Sequence, residues 1–401
     1  MKNYTRKYYI YTLLTQARFT RIISILFIVQ VLKLDLIQFS LVQSIFLFSQ
    51  FFSEIPSGIL GDMFNNKTVI FSGLFLLAIA PLITVSSFFL PSNITLIILV
   101  ISSVLEGIGN ALISGADDAL FYEGIRKDGN ENDYGKIRGN MQFISSVVVG
   151  LATAIGGYLF SLNYALPYIF QSIFILGAVV VIVFTKENKV TKAESEQGEE
   201  TLSGMFKNIL SVFKDMVHSS NILFLFVFTI LVTSVINAIF MLLPNYISNL
   251  GFDSSANGSV FMIYSLAGGL IATQAYRLTK MKFSSLTILI ASLLFFATGL
   301  ELQQNKYLFL IGAGILYIVL DILDPIVMQM LNLWVSDTSR ATFISGLSFS
   351  ISLMTMIINP IIGTSIQRYG TINMLISTSL VTIFMIFAAY YLIVKTKKKS
   401  S

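Results

Sequence analysis

The chain has 401 residues, of which 55% are hydrophobic and 12% are charged, and its mean hydropathy is +0.79. The charged share is about half that of a soluble domain, which excludes an ordinary soluble fold because so much apolar surface could not be kept from water. The absence of cysteine and the single histidine, His218, exclude a disulfide framework and thiol catalysis, and we expect His218 to be a solvated surface residue.

Twelve apolar segments are long enough to cross a bilayer core, which takes ~20 residues of helix. The predicted spans, in chain order, are 10–32, 38–62, 68–90, 95–120, 139–160, 165–185, 221–247, 257–277, 284–301, 307–334, 341–365 and 371–394. We expect the first to be a membrane span and not a cleaved signal peptide, because it is too long and contains Arg18 and Arg21. The sequence therefore predicts an all-α, multi-pass membrane protein with twelve transmembrane helices.

The basic residues indicate how the chain is oriented. With both termini on the cytoplasmic side, 21 of the 26 Lys and Arg residues fall in inner segments, counting Arg277 at the inner end of span eight, and only Lys33, Lys306 and Arg368 fall in outer loops. Positive charge is enriched on the cytoplasmic side of inserted helices. We therefore expect a plasma-membrane protein with both termini cytoplasmic. The net charge of +5 then reflects topology, and no nucleic-acid partner is predicted.

A polar interval divides the chain into two six-helix bundles, 1–185 and 221–401, joined by a cytoplasmic linker, 186–220. The first part of the linker is charged and lacks apolar periodicity, which is typical of a flexible segment. Residues 202–217 then show apolar residues at helical spacing, which predicts an amphipathic helix on the inner membrane surface. A docking site for a partner is the alternative for this helix.

The two halves resemble each other weakly. Glu106 in span four precedes Asp117 by eleven residues, and Asp321 in span ten precedes Asn332 by the same interval. Spans one and seven are each followed by a short loop containing an aspartate. Two similar six-helix halves are typical of the parallel repeats of secondary transporters.

A family resemblance appears just after span two. Residues 58–67 read GILGDMFNNK, which resembles the loop motif Gly-x-x-x-Asp-Arg-x-Gly-Arg-Lys of the major facilitator superfamily, with matches at Gly58, Asp62 and Lys67. The segments SEIPSG (53–58), SGADDALFYE (114–123) and RATFISG (340–346) look like blocks of a bacterial drug-efflux-like subgroup. The resemblance implies the major facilitator fold, two six-helix pseudo-repeats, a monomer and no cofactor.

Two ionisable residues are expected near the middle of the membrane, where charge is costly and usually functional. Counting depth at ~1.5 Å per residue of helix places Arg21 and Glu106 there. The resemblance implies that spans one, four, seven and ten line the central cavity. We therefore predict that Arg21 faces Glu106 and that Glu106 accepts a proton, so that substrate or proton binds at the expense of the ion pair. A permanent structural salt bridge and a snorkelled pair with no role in transport are the alternatives.

Two further groups of charged residues lie inside predicted spans. Arg18 and Glu54 are expected to form a structural pair between spans one and two. Asp321 and Asp324 stand one helical turn apart, just before Pro325, and could hold a coupling ion or a cationic substrate. Alternatively, Asp324 caps a helix break at the proline and Asp321 bonds a neighbouring hydroxyl.

The loop motif also predicts a gate. Asp62, at the inner end of span two, and Arg340, at the inner start of span eleven, can form a charged contact only when the inner side is closed. Gly58 and Lys67 belong to the same gating motif. A local cap within its own loop is the alternative for Asp62.

These features predict a secondary active transporter that works by alternating access and exports drugs or another amphiphilic organic compound with the proton gradient. No Gly-rich ATP-binding loop is present in the sequence. An uptake symporter for a specific nutrient and a non-transporting membrane sensor or immunity protein are the alternatives. We expect no enzymatic activity, metal or cofactor. The expected partners are a small-molecule substrate, protons and the lipid bilayer.

Overall fold

The structure is a computed structural model that describes residues 3–129, 133–187, 219–281, 283–303, 305–335 and 337–395. The regular elements in these ranges are helices. They are α1 Asn3–Gln16, α2 Ile23–Leu26, α3 Leu36–Met63, α4 Asn66–Ser86, α5 Ser92–Ile113, α6 Ala116–Lys127, α7 Tyr134–Leu162, α8 Leu166–Val183, α9 Ser220–Asn249, α10 Ser254–Ala272, α11 Phe283–Glu301, α12 Lys306–Trp334, α13 Asp337–Tyr369 and α14 Thr371–Ala389.

Eleven helical segments of the described ranges are long and apolar enough to cross a membrane, and they correspond to the second to twelfth predicted spans. The first predicted span, 10–32, is different. Its helix α1 ends at Gln16, the chain turns, and α2 leads into a short π-helix, Phe27–Val31. The prediction of one continuous helix over 10–32 was therefore wrong. Arg18 and Arg21 both lie in the break.

The predicted fourth span is also interrupted, near its inner end. Helix α5 ends at Ile113, and Gly115 adopts φ +83°, a left-handed conformation that glycine tolerates well. Helix α6 then begins at Ala116, with Asp117 and Asp118 in its first turn. The partial positive charge of a helix N-terminus favours carboxylates at these positions.

By its internal contacts the chain divides into two compact units. The first comprises Met1–Val190 with Met241–Leu266, and the second comprises Thr191–Phe240 with Ala267–Ser401. The two six-helix bundles and the linker 186–220 stay a prediction. Most of that linker, including His218 and the proposed amphipathic helix 202–217, lies outside the described residues.

The core of the first unit forms where α1 and α6 pack together with α4, α7 and α8. The ring of Tyr8 stacks on Phe121 with centroids 4.4 Å apart, and Tyr11 contacts the same ring at 5.2 Å. All three side chains are almost fully buried. Aromatic pairs of this kind add to the stabilisation from apolar burial, so α1 and α6 are held together close to the interruption of span four.

The core of the second unit is built mainly by α9, α11, α12, α13 and α14. Large apolar side chains such as Phe224, Phe228 and Leu323 are almost completely buried there. Two buried hydroxyls, Thr298 on α11 and Ser379 on α14, are hydrogen bonded at 2.7 Å. A paired hydroxyl is the expected form of a polar group inside a membrane bundle.

Candidate substrate-binding cavity

The first unit encloses a cavity of about 420 Å³, a volume suited to a small organic ligand. Its lining comes from α1, the break in span one, α2, α3, α4, α5, α6 and α8. The charged and amide residues that line it are Arg18, Arg21, Glu106, Asp117, Gln16, Gln43, Gln50, Asn110 and Gln171. Apolar spans therefore surround an unusually polar interior.

The break in span one is held in place by two residues of other helices. The buried backbone N–H of Phe19 donates to Oε1 of Gln171 on α8 at 2.8 Å. On α7, Gly156 leaves room for the carbonyl oxygen of Phe19, which a side chain there would overlap. Irregular backbone is tolerated at membrane depth only where its polar groups are buried in protein or line a cavity. Gln171 and Gly156 meet this condition for the break in span one.

Arg18 is fixed against α5 by a neutral amide. Its guanidinium donates to Oδ1 of Asn110 at 2.9 Å, while Nδ2 of Asn110 donates to the backbone oxygen of Glu106 at 2.8 Å. Arg18 and Glu106 also attract each other electrostatically. Gly107, next to Glu106, allows close packing on α3, because a methyl group there would lie 2.7 Å from the carbonyl oxygen of Phe46.

Arg21 and Glu106, which were predicted to face each other, lie at the same cavity but form no ion pair in the described part of the chain. The cation that acts electrostatically on Glu106 is Arg18. Within the described residues, the Glu106 carboxyl makes no hydrogen bond and no ion pair. Its oxygens are therefore available to a proton or to a ligand.

The expected pair of Arg18 and Glu54 is not formed. Arg18 donates to Asn110, and Glu54 on α3 is exposed, with no ion pair to Arg18 in the described part of the chain. The break turns Arg18 toward α5, which a depth count along a continuous helix could not anticipate.

A second polar cluster joins α1, α6 and α7 beside the cavity. Asp118 accepts hydrogen bonds from the hydroxyl of Tyr8 and, at 2.5 Å, from the guanidinium of Arg138. Arg138 also donates to the Tyr8 hydroxyl at 2.9 Å. The neighbouring Asp117 lines the cavity. This cluster therefore holds α1, α6 and α7 together next to a residue of the cavity wall.

The two aspartates of span ten belong to the second unit. Asp321 is half-buried, with its carboxylate against Gly268 of α10, while Asp324 is exposed. Helix α12 continues through Pro325 without interruption. Neither aspartate lines the cavity of the first unit, and a role for them in holding an ion or a substrate stays a prediction.

The loop motif is partly helical. Gly58 and Asp62 lie within α3, and Lys67 fastens the start of α4 to the end of α8, since its Nζ donates to the carbonyl oxygen of Val183 at 2.6 Å. Arg340 lies in α13. The side chains of Asp62 and Arg340 lie outside the described part of the structure, so the charged contact between them stays a prediction.

Several polar residues of interest were missed by the sequence reasoning. Gln43 and Gln50 are seven residues apart on α3, and two helical turns place them on one face toward the cavity. Asn110 and Gln171 are amides within apolar spans, a signal that could have been read in the same way as a charge. Glu301, at the end of span nine, carries the same signal and is buried.

Apolar helices around a polar cavity, one of them discontinuous, are typical of membrane transporters. The family model of the Major Facilitator Superfamily matches residues 9–300, more than half of the chain. The chain therefore belongs to this superfamily and is a multi-pass membrane transporter of that type, which acts on a small-molecule substrate.

Known relatives agree with this assignment. Over 318 residues the chain is 23% identical to the "Uncharacterized MFS-type transporter YxaM" of Bacillus subtilis (strain 168), covering 78% of this chain and 76% of that protein. The crystal structure of the nucleoside transporter NupG superimposes with a TM-score of 0.73 at 15% identity, covering 96% of this chain and 98% of that chain. A D-xylose-proton symporter also gives 0.73, at 14% identity and 96% coverage of each chain. Identities this low show a shared fold.

Proposed function

We propose that this protein is a proton-coupled secondary transporter that carries a small polar or charged organic solute by alternating access. The observation that carries the proposal is the cavity of about 420 Å³ in the first unit, where Arg18, Arg21 and Glu106 stand among amide side chains. The solute would bind to this wall during part of the transport cycle.

The lining of the cavity favours a polar solute over a drug. Drug-sized ligands are usually held by predominantly apolar pockets with few polar groups. Here Arg18 is already held by Asn110 and can offer its remaining N–H groups to an anionic or hydroxyl group of the solute. The Glu106 carboxyl can accept a proton or a solute donor. The fold is shared with proteins described as a nucleoside transporter and a D-xylose-proton symporter, which also supports polar cargo.

Proton-coupled export of drugs or another amphiphilic compound is the second candidate. The segment SEIPSG at 53–58 and the blocks at 114–123 and 340–346 favour it, because they resemble a drug-efflux-like subgroup.

For either function, we propose that the protein is a monomer in the plasma membrane with both termini cytoplasmic. The concentration of Lys and Arg in the segments assigned to the inner side supports this orientation.

The test is solute flux in proteoliposomes that contain the full chain and carry an imposed pH gradient. A panel of nucleosides, sugars, amino acids and cationic dyes is compared for the wild type, Arg18→Gln and Glu106→Gln. Glu54→Gln is the control, because it makes the same carboxyl-to-amide change at an exposed glutamate outside the cavity lining.

We expect one polar class to be transported, and Glu106→Gln to abolish the dependence of its flux on the pH gradient. Arg18→Gln removes the charged donor that we propose for the solute. A hydrogen bond from a charged group is worth ~1.5–3 kcal/mol, so binding of that solute should weaken about tenfold or more. Transport of dyes alone would replace the proposal with the second candidate. Binding without flux of any compound would favour the sensor alternative.

A further inference from the structure

A carboxyl group of the second unit is buried without a partner among the residues that the structure describes. Glu301 is the last residue of α11, and its side chain is 3% exposed. Both carboxyl oxygens are buried, and neither has a hydrogen-bond partner in the described structure. Within the described residues Glu301 makes no ion pair either.

The described residues of the helices packed against Glu301 place no cation in contact with its carboxyl group. Helix α11 has no other ionisable side chain, and neither does α14. Helix α12 carries Lys306, whose Nζ lies 5.4 Å from the ring centroid of the exposed Tyr307, and Tyr317, Asp321 and Asp324 farther along the helix. Of these, only Lys306 could stabilise a carboxylate, and no ion pair joins it to Glu301 in the described part of the chain.

A close approach of two helices keeps the carboxyl group enclosed. A methyl group on Gly312 of α12 would lie 2.9 Å from Cγ of Glu301 and 2.7 Å from the carbonyl oxygen of Ala297. The missing side chain at Gly312 therefore lets α12 cover the carboxyl directly. An unpaired carboxylate in such surroundings is strongly disfavoured, and the group takes its neutral form instead.

We propose that Glu301 is a proton-binding site of the second unit, which holds a proton while α11 and α12 are packed at Gly312 and releases it when they separate. On release the O–H bond of the carboxylic acid breaks, the proton passes to water, and the carboxylate keeps the electron pair. The site is separate from the cavity of the first unit and does not depend on the identity of the transported solute.

The test uses the purified full chain in lipid nanodiscs. Infrared difference spectra record the C=O stretch of protonated carboxyl groups in mildly alkaline buffer, for the wild type, Glu301→Gln and the exposed control Glu54→Gln. We expect a band equivalent to one carboxyl in the wild type and in the control that is missing in Glu301→Gln. If Glu301→Gln does not fold, Glu301→Met gives a neutral side chain of similar volume. Identical bands in the wild type and the Glu301 variant would overturn the proposal.

Release is tested by opening the helix contact. Gly312→Ala forces α12 away from the carbonyl oxygen of Ala297, so the Glu301 band should disappear at a lower pH than in the wild type. Gly299→Ala on α11 is the matched control, because a methyl group there meets nothing within 4 Å. If the band of Gly312→Ala titrates at the wild-type pH, proton release does not depend on this contact.

Discussion

Replacing Gln171 with methionine removes the side chain that accepts the Phe19 N–H at 2.8 Å while keeping a similar volume. The donor belongs to the break in span one and is buried, so the substitution leaves it unsatisfied. A buried donor without its acceptor costs ~1–3 kcal/mol. We therefore expect Gln171→Met to lower the free energy of unfolding by that amount. We also expect it to weaken solute binding, because Arg18 is adjacent to the displaced backbone.

The assay is reversible unfolding of the purified chain in mild detergent with an added denaturing detergent, followed by circular dichroism. Gln38→Met is the matched control, since Oε1 of Gln38 accepts the backbone N–H of Asp35 at 3.0 Å in an exposed turn. Water can replace that acceptor, so the control should lose only ~0.5 kcal/mol. Equal losses in the two variants would show that Gln171 does not hold the break in place.

Two further perturbations test the packing around the cavity. Gly156→Ala places a methyl group against the carbonyl oxygen of Phe19 and should destabilise the protein by ~1–3 kcal/mol; the control Gly269→Ala, with nothing within 4 Å, should be neutral or stabilising by ~0.5–1 kcal/mol, and thermal unfolding in detergent compares them. For Asp118 and Arg138, whose side chains are 42% and 47% exposed, a double-mutant cycle should give a coupling of ~1 kcal/mol or less that weakens as salt is added. A coupling of several kcal/mol, or one insensitive to salt, would contradict the exposed geometry.

The spans could be read from the sequence because membrane insertion is a local property. About 20 consecutive apolar residues are needed in each helix, and the second to twelfth predicted spans are found as apolar helices. Two polar residues within spans also indicated the cavity, because Arg21 and Glu106, which were predicted to face it, both lie on its wall. Arg18, which was predicted to pair with Glu54, lies there too. These signals are visible along the chain because a charged residue in hydrocarbon is costly wherever it occurs.

The interruption of span one could not be read from its composition. Its polar residues, Arg18 and Arg21 among them, do not show where the helix ends. The break is held by Gln171 and Gly156, more than a hundred residues later, because Gln171 accepts the N–H of Phe19 and Gly156 leaves room for its carbonyl oxygen. The position of Arg18 near Glu106 followed from this break, since Arg18 reaches Asn110 only when α1 has ended. Burial of Glu301 likewise depends on Gly312 of the next helix.

The sequence by itself thus determined that the chain crosses a membrane many times and that a few polar residues remain in its interior, because the hydrophobic cost of each residue is set by its own side chain. Only the tertiary structure decided which of those polar residues meet. Hydrogen bonds and steric fit between helices depend on distances of a few ångströms across the bundle, and such distances are set by how the helices pack.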